Sequence, residues 1–249
     1  MIARIALILG VFVGLARAQT IDVAAAISLQ DALLEIGRKY ESATGETVRF
    51  TFGSSGQLAA QVKAGAPIDL FVSAAAKQVD DAIAAGAATK ATRVVIAGNA
   101  VALIAPPGDR SKPVSFEQLA DADLGRIAVG DPSTVPAGAY AKQALDHLQI
   151  WPKLRRRLVY CTNVRLVLEL VIRGDVRAGL VYQTDALSAG DKVRVVATAD
   201  ATWHDPIEYV AVATPRASPA AAAFLRHLAG EEAQATLRRF GFTEPPRRP

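Results

Sequence analysis

The chain has 249 residues, 51% hydrophobic and 21% charged, with a formal net charge of +4 and a single cysteine. That length supports a real core and two modest lobes rather than one small stapled domain, and Cys161 alone excludes an internal disulfide. Arg4 and Arg17 fall in the first 18 residues and Arg247 and Arg248 in a Pro-rich tail, so the body between is nearly neutral. Its one basic run, Arg155-Arg156-Arg157, lacks aromatic interleaving and reads as a solvated helix end rather than a nucleic-acid patch.

Residues 1–18 carry a basic start, an apolar stretch over 5–15 and the small-x-small pattern Ala16-Arg17-Ala18, which together read as a cleavable secretory leader. Its roughly 11 apolar residues fall short of the about 20 that span a bilayer, and no later segment is long and apolar enough to do so. The mature chain is therefore expected to be soluble and exported.

Apolar runs of strand length then recur at 21–25, 48–52, 69–73, 101–105, 126–129, 158–161, 178–182, 193–197 and 207–213. Most are separated by helix-length stretches with apolar residues three and four apart, as in Leu29, Ala32, Leu33, Ile36 and Tyr40. This alternation predicts parallel α/β sheets, whose ligands settle beyond the carboxyl ends of the strands. Gly98-Asn99 breaks the apolar stretch 94–105, which marks a crossing between lobes; a second crossing is expected at 207–213, with helices at 219–228 and 231–240 returning to the first lobe. Two crossings make a hinge. Cys161 ends an apolar run and reads as a buried thiol.

The informative residues stand where strands end and helices begin. Ser28 follows a strand and opens a helix, where its hydroxyl serves as an N-cap or faces an anion. Gly53-Ser54-Ser55-Gly56 allows close backbone approach and supplies more hydroxyls than a cap requires, with Ser55 nearer the helix start. Pro136-Ala137-Gly138 precedes a helix over 139–148, and Asn163-Val164-Arg165 opens one over 164–173; Ala137 and Val164 have only their main-chain N–H groups to offer, with Asn163 as a cap. Tyr182 ends a strand and can donate its phenolic proton. Helix N-termini and uncharged hydroxyls of this kind suit the capture of a small anion. Asp131 and Asp185 lie nearby, but a carboxylate repels an anion, so both are expected to bond loop amides. Arg165 faces either the site or solvent.

Catalytic signatures are scarce. His147, His204 and His227 lack metal-ligand spacing, and no P-loop, G-x-S-x-G elbow or H-E-x-x-H motif occurs. A triad of Ser55, His204 and Asp205 can be written on paper, but nothing in the spacing joins it.

Three stretches carry a resemblance: 65–74 (Gly-Ala-Pro-Ile-Asp-Leu-Phe-Val-Ser-Ala), 128–141 from Ala-Val-Gly-Asp-Pro to Pro136-Ala137-Gly138-Ala139-Tyr140, and 179–186 (Gly-Leu-Val-Tyr-Gln-Thr-Asp-Ala). With the flanking segments from Ile21 to Phe242, the chain resembles the periplasmic molybdate-binding proteins of ABC transporters. The resemblance implies a two-lobed periplasmic binding protein fold of type II, each lobe a mainly parallel sheet flanked by helices, with the ligand in the interlobe cleft. It implies lobe 1 at 19–98 and 206–249, lobe 2 at 99–205, and an oxyanion, molybdate or tungstate, held by Ser28, Ser55, Ala137, Val164 and Tyr182 without a counter-charge. It further implies a monomer that delivers its ligand to a membrane ABC permease, with no catalysis, no cofactor, no directly bound metal and no nucleic acid. Two departures stand out: Ile27, where a third Ala is common and where it would narrow the pocket, and Gly56, where a hydroxyl residue is common and where it would loosen the rim. The rival readings are a site for sulfate or another tetrahedral oxyanion, a site for a small organic acid, and a secreted serine hydrolase built on Ser55.

Overall fold

The computed structural model describes residues 19–108, 115–121 and 125–246; the expected leader at 1–18 lies outside them, as do Arg247 and Arg248. The chain opens with β1 (Thr20–Ala26), α1 (Gln30–Thr44), β2 (Thr47–Gly53), α2 (Ser55–Lys63), β3 (Leu70–Ser73), α3 (Ala76–Ala84) and β4 (Val94–Gly98). It continues through β5 (Val101–Ala105), β6 (Ile127–Gly130), α4 (Pro136–His147), α5 (Trp151–Leu154), β7 (Leu158–Cys161), α6 (Val164–Ile172), β8 (Ala178–Tyr182), α7 (Gln183–Ala189) and β9 (Arg194–Thr198). The last elements are β10 (Glu208–Ala213), α8 (Pro219–Ala229) and α9 (Glu231–Arg239).

Two five-stranded sheets result, ordered β2-β1-β3-β10-β4 and β7-β6-β8-β5-β9. In the first, β1 pairs in parallel with β2 and β3, while β10 runs antiparallel to both β3 and β4. In the second, β6 pairs in parallel with β7 and β8, while β5 runs antiparallel to both β8 and β9. Four strands of each sheet therefore point one way, and the single reversed strand is in each case one that enters from the other lobe. This explains why strands such as β5 and β8 are uninterrupted apolar runs: helices cover both faces, and every residue of both is buried.

The helices follow from the same logic. α1 turns Ala32, Leu33, Ile36 and Tyr40 inward and stops at Gly45, whose φ of +76° is the left-handed conformation that a C-terminal glycine adopts without penalty. Ser218 caps α8, accepting from the Ala221 amide at 3.1 Å, and Pro219 follows at the first helical position. After α9 the chain returns to the first sheet, where Thr243 bridges to Gly98 at the end of β4. No helix among the described residues is long and apolar enough to cross a membrane.

Some local readings are revised. The helix after Gly130 starts at Pro136, three residues before the expected 139, because proline is tolerated in a first turn. Arg157 is no free helix end: its guanidinium donates to the carbonyls of Asp121, at 2.6 Å, and Leu119, pinning the segment before β6. Cys161 is buried, and burial pushes its thiol up to about 11, as an inert core thiol requires.

Candidate functional site

The carboxyl ends of β1 and β2 in the first lobe face the starts of α4, α6 and α7 in the second. Between them lies a cavity of about 10 Å³, lined by Ala26, Ile27, Ser28, Gly53, Ser54, Ser55, Ala74, Val135, Pro136, Ala137, Val164 and Tyr182. All five residues expected to meet a ligand, Ser28, Ser55, Ala137, Val164 and Tyr182, are in this lining, and each is at most 5% exposed. Among the described residues, no charged side chain and no histidine lines it.

Each position has a local cause. Ser54 is the N-cap of α2, its hydroxyl accepting from the Gln57 amide at 3.4 Å, which leaves Ser55 as the first helical residue with its side chain free of capping. The Ser55 hydroxyl accepts from the Ala74 amide at 3.0 Å, so its own proton remains to be donated. Ala137 is the second residue of α4 and Val164 the first of α6; main-chain N–H groups in a first turn have no intrahelical acceptor and concentrate positive potential. Asn163 caps α6, accepting from the Leu166 amide at 3.0 Å. Gly138 is required for this arrangement, since a Cβ there would collide with the carbonyl of Gly130 and push α4 off β6.

Ser28 departs from its simpler reading. It sits within a short 3₁₀ turn whose N-cap is Ala26, and its hydroxyl caps nothing; it lies 3.0 Å from the phenol of Tyr209. Tyr182 is fully enclosed, and burial raises its phenol well above the ordinary value, so it stays protonated and acts as a donor. It directs that proton to the carbonyl of Ala74 at 3.2 Å, across the cleft.

Other contacts also close the cleft. The Gly56 amide donates to the carbonyl of Thr134 at 3.0 Å, and a Cβ on Gly56 would stand 2.5 Å from that oxygen. Gly56 therefore tightens the rim, the reverse of the loosening expected of it, because only a residue without a side chain lets the two backbones meet. Ile27 is among the lining residues. Arg165 faces neither the cavity nor open solvent: its guanidinium meets Asp31 of α1 at 2.8 Å and the buried Asp185 of α7 at 3.0 Å. Asp185 also accepts from the Tyr182 amide at 3.3 Å, and Asp131 from the Ser133 amide at 2.9 Å, the loop-bonding roles expected of both.

Sequence reasoning named Ser54 among the junction hydroxyls but preferred Ser55, and it gave no site role to Ala74 and Val135 in the lining or to Asn99 and Tyr209 behind it. Only Ser54 carried a readable signal, as the residue just before a helix. The three histidines pack on aromatic rings: His147 against Trp203, His204 against Tyr140 and His227 against Tyr40. The Nδ1 of His204 meets the carbonyl of Asp205 at 2.8 Å, and no Ser55–His204–Asp205 triad is assembled.

Residues 21–243 match the family model described as bacterial extracellular solute-binding protein. The molybdate-binding protein ModA of Escherichia coli is 39% identical over 228 residues, covering 90% of this chain and 88% of that protein. ModA of Haemophilus influenzae is 36% identical over 242 residues, 95% of each chain. Among solved structures, the periplasmic molybdate-binding protein of Azotobacter vinelandii superposes with a TM-score of 0.82 at 24% identity, covering 91% of this chain and all of that one, a likeness of fold. With two lobes, a donor-lined cleft and relatives aligned along nearly its whole length, the chain belongs to the bacterial extracellular solute-binding protein family.

Proposed function

We propose that this protein captures molybdate or tungstate in the periplasm and presents it to a membrane ABC permease. The observation that carries the reading is the composition of the cavity: hydroxyls of Ser28, Ser55 and Tyr182 and first-turn amides of Ala137 and Val164 converge, with no Lys or Arg in the lining. Donors alone suit a fully deprotonated oxyanion, because such a guest has only acceptors to satisfy, and helix N-termini replace its water shell without a counter-charge. Relatives that carry the name molybdate-binding protein, 39% and 36% identical, support the same choice.

In this reading residues 19–98 and 206–249 form one lobe and 99–205 the other, and the lobes close by bending at the crossings near Asn99 and residue 206. Closure engages Tyr182 and Gly56 with the opposite lobe, and the closed form of a monomer is what the permease meets. Residues 1–18 direct export and are removed. Tyr182 turns its proton from the Ala74 carbonyl to the guest when the guest is present. Sulfate is rejected by size: donors set for a larger tetrahedron cannot all reach a smaller one, and each unmatched donor costs about 1 to 3 kcal/mol.

Thermal melting of the mature protein with molybdate, tungstate, sulfate and phosphate tests this. A ligand at 100 times its Kd stabilises by about 2.7 kcal/mol, so molybdate and tungstate should raise the Tm clearly at concentrations where sulfate does little. Equal rises with sulfate would transfer the function to a general tetrahedral oxyanion, and ester hydrolysis abolished by Ser55→Ala would replace it with an enzyme.

A further inference from the structure

Behind Ser28 lies a chain of hydrogen bonds whose directions follow from counting protons. The Asn99 side-chain oxygen accepts from the Ala100 amide at 2.9 Å, which fixes the amide plane and leaves Nδ2 as the end facing inward. Nδ2 has two protons and gives both away, one to Thr184 Oγ1 at 2.9 Å and one to Tyr209 Oη at 3.2 Å. Tyr209 Oη is then an acceptor toward Asn99, so its single proton goes to its other partner, Ser28 Oγ, 3.0 Å away. Ser28 in turn is an acceptor toward Tyr209 and must aim its own proton elsewhere, and the cavity is what it lines. Packing holds Tyr209 in this position, since the residue has no exposed surface and its ring meets Phe242 edge-on at 5.1 Å, with Tyr182 5.7 Å away. Ser55 is biased in the same sense by the Ala74 amide.

We propose that Asn99 and Tyr209 are positioning residues that fix the direction of the Ser28 hydroxyl and so restrict the site to guests that carry no proton. The inference rests on the site reading given under Proposed function and adds its selectivity device. An unconstrained serine hydroxyl can either donate or accept, and would serve a protonated oxyanion as readily as a bare one. Held by Tyr209, it meets a guest as a donor. The device starts at Asn99, in the first crossing between the lobes, and reaches Thr184 of the second lobe as well as Ser28 of the first, so the same side chain that orients the donor ties the two halves of the cleft.

The test compares molybdate with inorganic phosphate, which carries a proton near neutral pH, by direct titration of the former and displacement by the latter. The proteins are wild type, Tyr209→Phe, Asn99→Ala and Ser28→Ala, each with the melting temperature of the unliganded form as a fold control. Tyr209→Phe keeps the buried ring and should weaken molybdate about tenfold, the loss of about one net hydrogen bond, while phosphate is unchanged or tighter. The molybdate-to-phosphate affinity ratio therefore falls about tenfold. Asn99→Ala, at a half-buried position, should shift the ratio in the same direction by about threefold and carries the test if Tyr209→Phe fails to fold. An unchanged molybdate affinity, or equal weakening of both anions, would overturn the proposal, since a purely structural defect does not change the ratio. Ser28→Ala separates the two levels: wild-type affinity in that variant defeats the site reading itself, whereas weakened binding there with a normal Tyr209→Phe defeats only the relay.

Discussion

The two walls of the cavity hold out hydrogen-bond donors by different means. The first lobe offers side chains, Ser28 and Ser55, each with an oxygen already satisfied by a neighbour. The second lobe offers main chain, the first-turn amides at Ala137 and Val164, with Tyr182 as its one side-chain donor. A side-chain donor can be tuned or lost by one substitution, while a main-chain donor is indifferent to the side chain it carries. One wall is thus open to adjustment and the other is fixed by the fold.

The sharpest way to break that contrast is at the serines. Ser55→Ala should weaken molybdate binding by about 2 kcal/mol, because it removes a bond to a charged guest, and should also lower the unliganded Tm, because it strands the buried Ala74 amide; Ser28→Ala should likewise lose about 2 kcal/mol of binding. Isothermal titration reads both, and an effect below about 0.5 kcal/mol in each would dissolve the first wall. On the second wall, Val164→Ala should stay within about 0.5 kcal/mol, whereas Val164→Pro, at a first helical position that tolerates proline, deletes only the amide proton and should lose about 2 kcal/mol. If the two Val164 variants bind alike, the amide is not a donor to the guest.

The seam between the walls gives a smaller effect. Gly56→Val places a side chain against the Thr134 carbonyl and should weaken binding by about 1 kcal/mol in the same titration, because it obstructs the backbone contact that joins the two walls. The smallest effect concerns charge kept outside the cavity. Burial raises the Asp185 carboxyl to about 6, against an opposing pull from Arg165. The folded state then holds this proton through a range where the unfolded chain has released it, so this group's contribution to stability declines as pH rises from about 4 to about 6. Asp185→Asn should remove that part of the decline, visible as a flatter profile of Tm against pH; an identical profile would show that Asp185 ionises freely.

Most of this arrangement was legible because it is local. Apolar runs at 101–105, 158–161 and 178–182 became β5, β7 and β8 with those same limits, and the Gly98-Asn99 break is where the chain leaves the first sheet. Ser55, Ala137 and Val164 could be found as residues at helix starts, a feature written in adjacent positions. Local signals were incomplete where a partner from far along the chain took part: Ser28 could be read as a cap or as an anion donor, and its hydroxyl caps nothing and is bonded to a residue 181 positions away. The roles of Gly56, Arg157 and Asn99 were unreadable for the same reason, since each depends on a carbonyl or hydroxyl brought near only by the folded chain.

The reversed strand of the first sheet has a consequence for how the molecule is made. β4 touches its sheet only through β10, and β10 also supplies the partner for the inner edge of β3. A chain emerging from its N-terminus can assemble the second sheet, whose strands all lie between Val101 and Thr198, before residue 208 exists. Without residues 208–213 the first sheet keeps only β2, β1 and β3 joined, with an open edge on β3 and a detached β4, the kind of exposed edge that invites mispairing. Completion comes when 208–213 slides into the gap, so a truncation just short of it would spare the later half of the molecule and leave the earlier half unfinished.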